Sequence, residues 1–152
     1  MAKNEKTIEL FQMLVTMLSQ QSVGHRIESR IFASQGLSKL GEKYAEHAEE
    51  EMQFVGKFID RIIDLGGVVK NGVVKEAPVY EDIEEWLTYD VELSKSGLGQ
   101  VGEILETMIG DPISYDLFKD YVKDEEEDML WGEQQLALMK LIGKQNWLMK
   151  QI

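Results

Sequence analysis

Apolar side chains recur at intervals of three and four residues over most of the chain, which is the period of amphipathic α-helices. Gly36 is a helix-ending signal, and the short link that follows predicts that the first two helices pack as antiparallel neighbours. Asp111 and Pro112 mark the start of another helix, as N-cap and first helical residue. The predicted helices cover residues 7–35, 42–65, 80–109 and 112–141, with a short fifth segment at 146–152.

The segment between the second and third helices has no helical period. Asn71 and Gly72 lie between two Val-Val pairs, a pattern that predicts a β-hairpin with a type I′ turn. Because an isolated two-stranded ribbon is marginally stable, we interpret residues 68–75 as part of a long, partly extended crossover that pairs elsewhere, for example with its counterpart in a second subunit. Such a crossover makes the two middle helices parallel.

The predicted fold class is therefore all-α: a four-helix bundle with a long crossover between the second and third helices and a short fifth helix. Residues 1–152 are expected to form a single domain. Gly97, Gly99 and Gly102 fall inside the third helix and cost about 1 kcal/mol each relative to alanine. That helix should be locally weak, bent, or closely approached by another backbone.

Composition narrows the function classes. The chain has 28 acidic and 16 basic residues, a formal net charge of −12, and no basic stripe, so no nucleic-acid surface is expected and cations are the favoured partners. It has no cysteine, which fits a reducing cytoplasm. No apolar run approaches the ~20 residues that span a bilayer, and no membrane partner is expected. The chain has no glycine-rich phosphate loop and no Ser-His-Asp arrangement, so neither a nucleotide site nor a hydrolase is expected.

Two carboxylates lie on core-facing stripes. Glu51 falls among the apolar residues of the second helix, and Glu125 has an equivalent position on the fourth, with Asp128 three residues later. A carboxylate buried alone costs several kcal/mol, so each should have a hydrogen-bond partner, a counter-charge or a cation. Glu-x-x-His on two helices, with one Glu from each of the other two, is how di-iron carboxylate bundles hold metal.

Over nearly its whole length the chain resembles a bacterioferritin, within the ferritin-like superfamily, and it is similar in places to the Dps-like relatives. Two motifs together are fairly specific to this resemblance: an acidic run before a Trp on the fourth helix, and Gln-Asn-aromatic-Leu at the start of the fifth helix. The matching segments are SRIFASQGLSKL at 29–40, EEEMQFVGKFIDRIIDLGG at 49–67, YEDIEEWLTYDVEL at 80–93, KDEEEDMLW at 123–131 and IGKQNWLMKQI at 142–152.

The resemblance implies iron binding and storage, but most of the family's di-iron ligands are replaced. Glu51 and Glu125 match the two glutamates of the Glu-x-x-His pairs. The four departures are Phe54 and Asp128 at the histidine positions, and Leu18 and Ser94 at the other two glutamate positions. Since a di-iron ferroxidase needs bridging carboxylates around both metals, its oxidation of Fe(II) is expected to be weak or absent. Whether the chain is an enzyme is left open.

The remaining ligands suggest a mononuclear site. Glu125 and Asp128, with Glu51 and with His25 of the first helix, would supply three carboxylates and one imidazole for Fe, Mn or Zn. The alternative is that Glu51 and Glu125 are hydrogen-bonded to His25, Ser22, Ser94 or one another, with one of them protonated.

Three further features of the second helix bear on function. Met52 matches the methionine that bacterioferritins present to a haem shared between subunits, although packing is its simpler role. His47 reads as a hydrogen-bonded core or interface histidine. Glu46, Glu49 and Glu50 form a solvated face that, in a cage, would line an acidic cavity that nucleates mineral.

The sequence therefore predicts a bacterioferritin-like cage subunit that binds iron through an incomplete ferroxidase centre. It would assemble as a homo-oligomer, or as a mixed cage with a complete ferritin-like subunit. The alternatives are a structural ferritin-like oligomer without metal chemistry, and a mononuclear metal- or haem-binding bundle.

Overall fold

A computed structural model describes the backbone of residues 2–152 and the side chains of residues 4–152. The described residues contain helices and no strand, which confirms the all-α class. The helices are α1 (Ala2–Ser34), α2 (Ser38–Asp64), α3 (Ile83–Leu98), α4 (Val101–Glu106), α5 (Pro112–Ile142) and α6 (Lys144–Met149). None of them combines the length and apolarity needed to cross a bilayer.

Local signals in the sequence set several helix ends. Gly36 adopts a φ of 86° directly after α1, as a glycine that ends a helix should, and Gly143 does the same between α5 and α6 with a φ of 87°. The Asp111 carboxylate accepts a hydrogen bond from the Ser114 backbone N–H at 3.2 Å, so Asp111 caps α5 as predicted. Asp82 caps α3 in the same way.

The predicted third helix is interrupted, so that α3 and α4 are separate elements on either side of Gly99 and Gln100. A Cβ placed on Gly97 or Gly102 would meet nothing within 4 Å. Close approach by another backbone therefore does not account for these two glycines. The helix breaks because three residues of low helix propensity lie within six positions.

Contacts between the helices fix their directions. Arg61, near the end of α2, donates a hydrogen bond to Asp111 at the start of α5, at 2.8 Å. These two helices therefore run antiparallel. The Trp86 ring, at the start of α3, lies 6.0 Å from the Tyr44 ring near the start of α2. The two middle helices are consequently parallel, as a long crossover requires.

Residues 65–82 form the crossover, which lies along α1. The Gln12 side-chain amide pairs with the main chain of Lys70 in both directions: its Nε2 donates to the carbonyl, and its Oε1 accepts from the N–H, each at 2.7 Å. Gln20 Nε2 donates to the Lys75 carbonyl at 2.5 Å. Two side chains of α1 thus make the hydrogen bonds to the crossover main chain that a partner strand would otherwise make.

The β-hairpin suggested by residues 68–75 does not form, since no strand pairing occurs in this part of the described chain. A type I′ turn needs positive φ at both central residues, and neither Asn71 nor Gly72 has one. The interpretation of the segment as part of an extended crossover is confirmed.

The interior has three layers. An apolar cluster fills each end of the bundle, one centred on Phe11 and Phe58 and the other on Phe32, Tyr44 and Trp147. Between these clusters lies a polar layer, whose buried members are Ser22, His25, Glu28, Ser29, His47, Glu51 and Ser94. This layer contains the residues that the sequence singled out for metal chemistry.

Candidate metal centre

His25 is at the centre of the polar layer and joins two carboxylates. Its Nδ1 is hydrogen-bonded to Glu51 Oε1, and its Nε2 lies 3.2 Å from Asp90 Oδ1. A ring that donates from both nitrogens is an imidazolium. Burial by itself lowers the pKa of His25, but the hydrogen bonds and charges of Asp90 and Glu51 outweigh it and hold the pKa well above its usual value.

Glu51 is almost completely buried on the core face of α2. Burial raises the pKa of Glu51 to about 7, while its hydrogen bond to His25 acts in the opposite direction. The His25 cation therefore occupies one side of this carboxylate.

Glu125 has a partner of its own on α3. Its Oε1 accepts a hydrogen bond from Ser94 Oγ at 2.7 Å, and burial raises its pKa. Hydrogen bonding of Glu51 to His25 and of Glu125 to Ser94 is the alternative that the sequence left open, and these two bonds are confirmed. Ser22 makes a different bond, donating instead to the Ala48 carbonyl at 2.7 Å.

The two positions that carry apolar residues are integrated into the core. The Phe54 ring lies 5.7 Å from the Tyr121 ring and 6.3 Å from the Phe58 ring, and Leu18 is 1% exposed within the apolar cluster around Phe11. Neither side chain can ligate a metal. The residues present therefore do not fit a two-metal centre of the kind that the resemblance implies.

A second group of carboxylates lies where α2 meets α5. One oxygen from each of Glu50, Asp124 and Asp128 lies within 4.8 Å of the others, and we call this set the α2–α5 acidic cluster. Burial is the first cause of a raised pKa at all three. Repulsion from other carboxylates adds to it: Asp124 acts on Glu50 and Asp128, and Glu127 acts on Asp124. The pKa of Asp128 reaches about 8.

The structure thus divides the four predicted metal ligands between two places. Glu51 and His25 are bonded to each other, and Glu125 to Ser94, whereas Asp128 belongs to the α2–α5 acidic cluster. A single metal bound by all four residues stays a prediction.

His47 differs from the hydrogen-bonded core histidine that the sequence suggested. It is 2% exposed, and neither ring nitrogen has a hydrogen-bond partner among residues 4–152. Its Nε2 lies 3.5 Å from Asp128 Oδ1, beyond good hydrogen-bond geometry but directed at the α2–α5 acidic cluster. Burial, together with the charges of His25 and Lys43, lowers the pKa of His47 to about 3, so the ring is neutral.

Two members of the polar layer were missed as site residues. Asp90 is the second partner of His25, and Glu28 is 1% exposed, with its Oε1 accepting the Tyr80 N–H at 2.9 Å. Burial raises the pKa of Glu28 to about 7. Helical spacing could have found it, because Glu28 follows His25 by three residues on the same face of α1.

Met52 is 44% exposed on α2. Glu49, one turn earlier on that helix, approaches Arg26 of α1 at 3.8 Å, so charged groups flank this face. Haem binding through Met52 stays a prediction.

Comparison with known proteins places the geometry in context. Residues 25–142 match the family model described as a ferritin-like domain. The chain is 34% identical over 130 residues to a bacterial ferritin of Neisseria meningitidis, with 83% of each chain covered. It is 31% identical over 131 residues to a bacterial ferritin of Pseudomonas aeruginosa, again with 83% of each covered. It is 28% identical over 120 residues to a bacterioferritin of Brucella melitensis, covering 78% of this chain and 74% of the relative.

Proposed function

Since the chain belongs to the ferritin-like domain family, we propose that it is a subunit of a bacterioferritin-like cage that binds and stores iron while oxidising Fe(II) weakly or not at all. Iron is the cargo in this proposal, and the protein supplies acidic surface for it. The relatives named bacterial ferritin and bacterioferritin support the storage role.

The proposal rests on one observation: the carboxylates that face the interior are hydrogen-bonded to other side chains of the protein. Glu51 is bonded to the protonated His25 and Glu125 to Ser94, while Phe54 packs against aromatic rings. A two-metal oxidation centre needs those carboxylates free to bridge two ions, with imidazoles beside them. We therefore place any iron binding on the remaining acidic groups.

Exposed apolar side chains support assembly into a larger oligomer. Val68 and Val73 on the crossover are 81% and 97% exposed, and Val23 and Met52 are exposed on α1 and α2. Their exposure is compatible with burial against other subunits. A homo-oligomer and a mixed cage with a complete ferritin-like subunit are both compatible with such surfaces. The cytoplasmic location expected from the lack of cysteine stays a prediction.

An iron-loading experiment tests the proposal. The purified protein is titrated with Fe(II) without oxygen, then exposed to air while near-ultraviolet absorbance is followed, and a bacterial ferritin with a complete ligand set serves as the control. We expect slow, non-saturating oxidation in this protein, together with an electron-dense core after prolonged loading. Fast oxidation that saturates at two Fe(II) per chain would contradict the loss of the two-metal centre.

The same experiment separates the storage role from a purely structural one. An assembled particle that retains no iron after gel filtration would favour a structural oligomer, or a subunit that acts only beside a complete partner. Mass measurement by light scattering during the filtration reports the assembly state. A haem absorption band in the purified protein would instead support binding at Met52.

A further inference from the structure

We propose that His47 and the α2–α5 acidic cluster together bind one divalent transition-metal ion, at a site separate from the buried His25–Glu51 pair. This inference deepens the proposed iron-binding function, and it rests on that function for the identity of the physiological metal. The site uses three carboxylates and one imidazole, but a different imidazole and two different carboxylates from those expected from the sequence.

The carboxylates already lie close to a ligating arrangement. Glu50, Asp124 and Asp128 each present one oxygen within 4.8 Å of the other two. Two oxygens bound ~2.1 Å from one ion lie no more than ~4.2 Å apart, so only a small contraction is needed. Asp124 and Asp128 are four residues apart on α5 and share one helix face, while Glu50 faces them from α2.

His47 is the independent observation that points to a ligand. It precedes Glu50 by three residues on α2, so the two side chains are neighbours on the same face of the helix. Its ring is almost fully buried, has no hydrogen-bond partner among the described side chains and backbone groups, and directs Nε2 towards Asp128 at 3.5 Å. A buried polar group without a partner costs free energy, which a metal–nitrogen bond would recover.

The protonation states favour His47 over His25 as the nitrogen ligand. Metal ligation requires a neutral imidazole with a free lone pair. The lowered pKa of His47 keeps it neutral, whereas both nitrogens of His25 face carboxylates. Lys43, whose charge acts on the same acidic groups, extends over the Trp131 ring at 5.1 Å from its centroid.

The donor set indicates the class of metal. Three carboxylates and one imidazole suit Fe(II), Mn(II) or Zn(II), and they lack the thiolates that select softer ions. Burial and repulsion from neighbouring carboxylates raise the pKa values of Asp124 and Asp128, so a metal ion that binds here must displace protons from the cluster. An ion of charge +2 would lower the repulsion among these carboxylates.

The test uses Mn(II) as the probe, added to the metal-free full-length protein. Electron paramagnetic resonance of free Mn(II) gives the number of bound ions, and pulsed measurement on the bound ion detects a coordinated nitrogen. The first variant is His47→Phe, which keeps a ring among Tyr44 and Trp131 and removes no hydrogen bond, so it should fold with an unchanged or higher Tm. Asp124→Asn is the second, and Glu126→Gln, on the exposed side of α5, is the matched control.

We expect one saturable Mn(II) per chain with nitrogen coupling. His47→Phe should abolish the coupling and weaken binding at least about tenfold, Asp124→Asn should weaken it by a similar factor, and Glu126→Gln should leave it unchanged. Absence of a saturable ion, or binding that His47→Phe leaves unaltered, would overturn the site. If an iron core forms but no nitrogen-coupled ion is detected, the site is refuted and the storage function is retained. If a nitrogen-coupled ion is detected but no core forms, the site is supported and the storage function is refuted.

Discussion

Replacement of His25 by alanine tests whether an internal cation holds the polar layer together. The substitution leaves Glu51, which is 4% exposed, and Asp90 facing each other without the imidazolium. Loss of one partner from a buried ion pair typically costs about 3–5 kcal/mol, because the other charge is left uncompensated. We expect a loss in that range at neutral pH.

The pH dependence follows from where each protein takes up a proton. The pKa of His25 in the folded chain is raised well above 6.5, so the stability that His25 contributes is complete below pH 6.5 and is lost as the pH rises through the folded pKa. Burial raises the pKa of Glu51 from 4.5 to about 7, so burying Glu51 already costs stability in the wild type as the pH rises above 4.5. The hydrogen bond from His25 acts to lower this pKa. Without His25 the pKa of Glu51 should therefore rise further, and the cost of burying an ionised Glu51 should grow over a wider pH range in the variant.

The assay is urea unfolding followed by circular dichroism at fixed protein concentration, with chelator present, at about pH 5 and about pH 7.5. His25→Ala should be destabilising at both pH values, and adding Glu51→Gln should recover more of the loss at the higher pH, where burying an ionised Glu51 costs most. Arg26→Ala, next along α1 and paired with exposed Glu49, is the control and should cost less than about 1 kcal/mol at either pH. Equal recovery by Glu51→Gln at both pH values would refute the reasoning.

Three other substitutions have expected outcomes by the same unfolding assay. Gly132→Ala would place a Cβ 2.6 Å from Val91 Cγ2 and should cost about 1–3 kcal/mol by overpacking. Gly97→Ala, whose Cβ would meet nothing within 4 Å, should instead stabilise the protein by about 0.5–1 kcal/mol. Asp111→Ala removes the N-cap of α5 and an ion pair with Arg61, and should cost about 1–2 kcal/mol. Burial alone would raise the pKa of Asp111, but Ser114 and Arg61 lower it, so that cost should shrink as the pH falls below 3.8.

The architecture could be predicted from the sequence because local and periodic signals agree. Gly36 and Gly143 adopt the positive φ that ends a helix, and Asp111 caps α5. The hairpin predicted from Asn71-Gly72 does not form, because no further strand supports it. The main chain of Lys70 is instead hydrogen-bonded to the Gln12 side chain of α1, 58 residues earlier in the chain. Such a contact leaves no trace in a local pattern.

The candidate site was only partly predictable. Helical spacing placed Glu51, Glu125 and His25 in the interior, and the structure agrees. Spacing along one helix does not determine which inward groups meet, and that depends on the rotation of each helix about its axis. The pairing of Asp90 with His25 spans 65 residues, so no local pattern reveals it. His47 was placed correctly in the core, while its lack of a partner could emerge only from the packed structure.

The interruption between α3 and α4 has a consequence for how the subunit opens. α4 is six residues long, and none of its side chains is fully buried, so its amide hydrogens should exchange with solvent by local unfolding, well ahead of those in α2. The end of the bundle closed by Trp147 and α6 is sealed more firmly. Local unfolding would then begin at the α4 end of the bundle. Water and small ions would reach the polar layer more easily from that end than from the end closed by α6.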